Sequence, residues 1–204
     1  MSVIGLDLGT SGVRAVAFSL SDGAAIAAES RPLTLHRPAT GTVELDAAEV
    51  IAAAEHAVAA VAERARLVGK APRALGFSVL GEAVVPVDVT GSPLAPVAVS
   101  MDTRGEPVAR RLGERLGAAR FTRITAQPLH GMFSGFKIAA SANWDGAAGF
   151  RCMGDLLAQR WTGTAVIDHS QAARTGLFDV DTRVWSTEII DELARVAPWL
   201  TLES

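Results

Sequence analysis

Short apolar runs separated by glycine-rich turns open the chain, and helical spacing takes over after about residue 46. Val3 to Leu8 is a compact apolar run, Gly9-Thr10-Ser11-Gly12 a turn cluster and Val13 to Phe18 a second run. Ser21-Asp22-Gly23 is a second turn, and Ala24 to Ser30 a third, weaker strand. Runs joined by such turns read as hairpins. After a polar loop with Pro32, Pro38 and Gly41, the clearest helix begins. Asp46 and Glu49 have capping-box spacing. Val50, Ala54, Ala57, Val58, Val61, Ala65 and Val68 trace one face, and Gly69 suits the residue just past the end.

Ala74 to Val79 reads as a short, buried strand, with further strands at Val84 to Val87 and Leu94 to Val99 around the turn Thr90-Gly91-Ser92-Pro93. Glu106 to Leu116 reads as a helix ending near Gly117, after which the pattern weakens. Gly131 to Ser134 reads as loop, and Phe136 to Ala142 as a short helix. Gly154 to Trp161 is a helix closed by Thr162-Gly163, and Ser186 to Val196 another with Pro198 beyond it. Trp144 has no assignment. An antiparallel three-strand meander followed by alternating strands and helices predicts an α/β fold, a mixed sheet covered by helices. One domain over residues 1–204 is expected, with a subdomain from about residue 100.

Composition narrows the function classes. Of 204 residues, 49% are hydrophobic and 20% charged, enough for a sizeable core. The net charge of −3 gives no sign of a nucleic-acid partner. The single cysteine, Cys152, cannot form an intrachain disulfide, which suits a reducing compartment. The N-terminus lacks the pattern of a signal peptide, and no stretch approaches a membrane span. The expected location is cytoplasmic.

The turn Asp7-Leu8-Gly9-Thr10-Ser11-Gly12 is the first candidate for chemistry. Small residues let backbone N–H groups approach an anion, and Thr10 and Ser11 add hydroxyl donors. Arg14 can reach back as a cation, and Asp7 can hold a hydrated Mg²⁺ that bridges phosphates. The alternative is an ordinary hairpin turn. The segment is neither a Walker A loop nor a dinucleotide fingerprint.

The stretch from Ile4 to Arg14 is similar to the first phosphate motif of the actin, Hsp70 and sugar-kinase superfamily. Three further segments resemble FGGY carbohydrate kinases such as xylulokinase, gluconokinase and glycerol kinase. In Gly76-Phe77-Ser78-Val79-Leu80-Gly81-Glu82-Ala83, the pair Gly81 and Glu82 falls where glycerol kinase has Arg-Glu and xylulokinase Met-His. Glu82 is then the candidate acceptor for substrate hydroxyls, against the alternative of a solvated loop glutamate. Ser100-Met101-Asp102-Thr103-Arg104 resembles the family's Trp-x-Asp-x-Arg pattern, with Ser100 in place of tryptophan. Asp102 and Arg104 would fix a polyol; alternatively Asp102 caps the next helix and Arg104 is a surface charge.

The run from Gly154 through Trp185-Ser186 resembles the family almost throughout and reads as structural, with Asp168, Ser170 and Arg174 as buried polar partners. Pro128-Leu129-His130 and Lys137 fit a family loop and helix, His130 in a structural role. The stretch from Lys137 to Gly154 is shorter than usual and rich in Ala and Gly, so its covering helix is expected to be truncated.

The resemblance implies an actin-like, ribonuclease H-like domain: the N-terminal, sugar-binding half of a two-domain kinase. ATP and Mg²⁺ are the implied cofactors, with Asp7, Gly9, Thr10, Ser11, Gly12 and Arg14 on the phosphates and Asp7 on the metal. Gly81, Glu82, Asp102 and Arg104 would meet a small sugar, polyol or sugar acid. The implied partner is the C-terminal, ATP-binding domain of the same protein, and a homodimer is left open. The family's catalytic aspartate lies in a Gly-Gly-x-Asp-type motif beyond Ser204. The expectation is therefore a domain boundary or partial gene product without a catalytic residue of its own. Two other classes stay open: a non-catalytic sugar-binding or regulatory module, and an actin-like or Hsp70-like ATPase fragment. The Gly81-Glu82 and Asp102-Thr103-Arg104 segments argue against the last.

Overall fold

A computed structural model describes residues 1–141 and 146–197. Trp144, Pro198, Ser204 and the expected end of a helix at Ala142 lie outside the described residues. In order, the strands are β1 (Ser2–Leu8), β2 (Gly12–Ser19), β3 (Ala25–Pro32), β4 (Leu35–His36), β5 (Glu44–Leu45), β6 (Pro72–Val79), β7 (Val85–Val87), β8 (Val97–Ala98), β9 (Gly149–Arg151), β10 (Phe178–Asp179) and β11 (Val184–Trp185). The helices are α1 (Ala47–Leu67), α2 (Glu106–Leu116), α3 (Ala118–Thr125), α4 (Ser134–Ala140), α5 (Met153–Thr162), α6 (His169–Ala173) and α7 (Thr187–Val196). They divide into two compact units. One holds residues 1–36 and 45–80, the other residues 37–44 and 81–204. The division thus falls after Leu80, earlier than the expected subdomain boundary near residue 100.

The first unit is a four-stranded sheet in the order β3-β2-β1-β6. β1, β2 and β3 form the expected antiparallel meander, and β6 returns parallel to β1 after α1. Alternation decides which face is covered: Ile4, Leu6, Leu8, Val13, Ala15 and Ala17 are buried. α1 supplies Val50, Ala54, Ala57, Val61 and Ala65 to the core. The Asp46 carboxylate accepts the Glu49 N–H at 2.9 Å, so the helix starts where the capping signal sits. Gly69, at φ +71°, takes the left-handed position just after it. β6 is not the buried strand expected. It lies at the sheet edge, and Phe77 keeps 38% of its surface exposed.

The second unit is mostly helical. Its core gathers Val108 and Leu112 of α2, Phe121 and Ile124 of α3, Phe136 and Ile138 of α4, and Ile189 and Leu193 of α7. The tilted pair of Phe121 and Phe136, 5.6 Å between ring centres, lies within it. Three features depart from expectation. α3 follows α2 across the single residue Gly117, whose φ of 84° turns the chain. The strand expected over Leu94 to Val99 shrinks to Val97–Ala98, because Pro96 has no N–H to donate. Two short pairings appear, β7 with β9 and β10 with β11. α4 is a truncated helix of seven residues. No helix among the described residues is long and apolar enough to cross a membrane.

Candidate functional site

The phosphate-turn candidates sit at the β1–β2 hairpin of the first unit. Asp7 on β1 stands opposite Arg14 on β2 and is flanked on its other side by Ser78 of β6. Residues paired across a sheet project from the same face. Asp7, Ser11, Arg14 and Ser78 are all exposed. A Gly9 N–H to Gly12 carbonyl bond of 2.9 Å closes the turn, and the Leu33 N–H donates to the Ser11 carbonyl at 3.1 Å. Gly12 is small for a packing reason: a Cβ there would lie 2.7 Å from the Arg31 carbonyl oxygen of β3. Thr10 is half-buried. Among the described residues no group of three or more His, Cys, Asp or Glu gathers as a metal cluster. Asp7, exposed beside the turn, offers a carboxylate to a cation, a donor type that suits Mg²⁺.

The remaining candidates belong to the second unit. Asp102 has no exposed surface. Its Oδ1 accepts the Arg104 backbone N–H at 2.9 Å and the Arg104 Nε–H at 2.8 Å. Its Oδ2 accepts the Val43 N–H at 2.8 Å and the Arg104 Nη2–H at 2.7 Å. Burial pushes the Asp102 carboxyl up, but these bonds outweigh it and hold the group below the usual carboxylate range. Arg104 Nη2 also donates to Glu44, and both acidic partners hold its guanidinium charged against burial. The helix-cap alternative for Asp102 is not what forms, since Gly105 stands at the N-cap of α2 and no side chain caps it. Asp102 and Arg104 make a buried clasp with the 43–44 segment.

Glu82 is also buried, and its Oε1 faces the Arg174 Nη2 in an ion pair. Its backbone is left-handed, φ 58°. Sequence reasoning missed this partnership and expected Arg174 among buried partners with Asp168 and Ser170. Asp168 and Ser170 are instead exposed, and Asp168 caps α6 through the Ser170 and Gln171 N–H groups. Burial raises the Asp168 carboxyl, but hydrogen bonds from Ser170 and Gln171 leave it below the usual value.

The burial of Lys137 was not anticipated from the sequence. It is 1% exposed, and its Nζ donates to the Val99 carbonyl at 2.8 Å and the Ala98 carbonyl at 3.4 Å. Burial lowers its pKa to about 7, against the pull of Asp102. Asp155, in the first turn of α5, is pushed by burial in the other direction, to about 7. Cys152 is buried with its thiol raised to about 12, so it is no nucleophile. His130 is half-exposed, accepts the Met132 N–H and lies beside Glu106.

Known proteins share the fold. Residues 2–197 match the FGGY family of carbohydrate kinases, N-terminal domain. Glycerol kinase 2 of Streptomyces coelicolor is 29% identical over 94% of this chain and 40% of its own length. The chain thus spans about two fifths of the curated relatives it matches. The crystal structure of xylulose kinase from Rhodospirillum rubrum superposes with a TM-score of 0.87 at 24% identity, covering 95% of this chain and 40% of that one. Plasmodium falciparum glycerol kinase, solved with ADP, gives a TM-score of 0.83 at 19% identity, over 96% and 41%. These likenesses carry the actin-like fold. The chain belongs to the FGGY family of carbohydrate kinases and corresponds to its N-terminal domain.

Proposed function

We propose that this chain supplies the substrate site and the first phosphate loop of an ATP-dependent kinase that phosphorylates a sugar, polyol or sugar acid. The observation that carries this reading is the exposed hairpin turn with Asp7 and Arg14 opposite each other, in a chain matching the family over residues 2–197. In the reaction a substrate hydroxyl attacks the γ-phosphorus of ATP, ADP leaves, and a carboxylate outside these residues takes the hydroxyl proton. Such transfer depends on positioning and charge stabilisation. Gly9 closes the turn through its own N–H; Thr10, Ser11 and Gly12 present turn donors to phosphate oxygens, and Arg14 offsets their charge. Asp7 holds Mg²⁺, which supplies charge neutralisation on the phosphates when bound.

Gly81, Glu82, Asp102 and Arg104 form the substrate side. Because Asp102 is saturated by internal bonds, its part is to orient Arg104. Residues 1–204 alone bind without turnover, and the proposed setting is the cytoplasm. The test is ADP formation by the protein with its native downstream sequence across an Mg²⁺ titration. Asp7→Asn, which leaves the buried core untouched, should shift the Mg²⁺ requirement upward and lower the rate. An unchanged Mg²⁺ profile would remove Asp7 from the metal.

A further inference from the structure

Glu82 and Arg174 differ sharply in access: the Glu82 side chain is 5% exposed, that of Arg174 41%. The Glu82 Oε1 has no hydrogen-bond partner beyond its ion pair with Arg174. Two further contacts hold the arginine. Its guanidinium carbon lies 6.0 Å from the Phe133 ring centre. Its Nε lies 3.2 Å, and its Cγ 3.5 Å, from the place where a Cβ at position 81 would sit. The arginine thus fills the space that Gly81 leaves open. Backbone strain marks the same turn. The other described non-glycine residues with positive φ are Ala126, which caps α3, and Arg183, in the β10–β11 turn. Glu82 caps no helix, and strain of this kind persists where the surroundings over-determine it.

We propose that Arg174 is the residue beside this turn that touches substrate, with Glu82 aiming it from behind and Gly81 admitting it as the specificity determinant. The inference rests on the reading of residues 81–104 as a substrate site. A guanidinium offers five donors in a rigid fork, and Glu82 occupies one edge. The exposed donors remain for ligand oxygens. Glu82 offsets the positive charge, so the matching ligand is neutral: adjacent hydroxyl or carbonyl oxygens of a sugar or polyol, in preference to the carboxylate of a sugar acid.

The experiment compares wild type, Arg174→Lys, Gly81→Ala and Glu82→Gln in the protein with its native downstream sequence. ADP formation gives kcat and KM, ligand-observed NMR gives binding, and circular dichroism checks folding. The panel pairs neutral polyols and sugars with their matching acids. Arg174→Lys should raise KM for the preferred neutral substrate roughly 10- to 100-fold, the loss expected for a hydrogen bond to a charged group, with kcat nearly unchanged. Gly81→Ala and Glu82→Gln should raise KM in the same direction, by displacing and by releasing the arginine. The double variant Arg174→Met, Glu82→Gln removes both charges together, avoids a buried unpaired carboxylate and should show the same KM rise. Wild-type KM and binding in folded Arg174→Lys, or preference for the acid of each pair, would overturn the inference. A folded wild type that neither binds nor phosphorylates any panel member would overturn the substrate-site reading beneath it.

Discussion

Asp102 and Arg104 are joined by three hydrogen bonds, from the arginine's backbone N–H, Nε–H and Nη2–H to both carboxylate oxygens. The aspartate's remaining bond is to the Val43 N–H, so the pair ties the 43–44 segment to the start of α2. Removing Asp102 leaves Arg104 with Glu44 as its acidic partner and the Val43 N–H without its acceptor. Asp102→Ala should therefore destabilise the protein by about 1–3 kcal/mol, read by chemical denaturation. Because the folded carboxyl titrates below 3.8, the stabilisation it gives is present above that value and lost as pH falls through the lower folded pKa. The variant should lack this part of the acid sensitivity.

Lys137 should leave a signature on the alkaline side. The folded amine releases its proton near pH 7, whereas an unfolded lysine holds it to 10.5. Unfolding thus takes up a proton between these values, and stability rises with pH across the window. Lys137→Met should flatten that rise in denaturation curves recorded from pH 7 to 10. A rise of unchanged slope would assign it to other groups.

Asp155 should act with the opposite sign in the lower window. Its folded carboxyl keeps a proton to about pH 7, while the unfolded one ionises near 3.8. Stability therefore falls as pH rises between these values. Its Oδ1 is buried without a hydrogen-bond partner. Asp155→Asn should stabilise the protein at pH 8 by on the order of 2 kcal/mol and remove the acid-side slope.

Gly12→Ala tests the packing under the β1–β2 turn. The new Cβ would meet the Arg31 backbone oxygen at 2.7 Å, and a backbone neighbour cannot swing away as a side chain can. The expected cost is about 1–3 kcal/mol, measured by thermal unfolding.

The parts legible in the sequence are those with local causes. The meander shows in its runs and turns, α1 in the Asp46 cap and its apolar face, and α7 in the run from Ser186 to Val196. The Gly9-Thr10-Ser11-Gly12 turn is legible because its residues are consecutive. What stays hidden depends on partners distant in sequence. Glu82 finds Arg174, and Lys137 finds the Ala98 and Val99 carbonyls, through tertiary packing that no spacing announces. Short pairings such as β7 with β9 carry too few residues for alternation to register. α3 hides behind Gly117, which reads as an end and acts as a corner.

The most direct test of the kinase reading is substrate-dependent ATP consumption. The protein with its native downstream sequence would be screened against pentoses, hexoses, polyols and sugar acids, with residues 1–204 alone alongside. The account predicts ADP formation that requires one of these substrates in the longer protein, and none from residues 1–204. A folded longer protein that consumes no ATP with any of them, or substrate-dependent turnover by residues 1–204 alone, would contradict it.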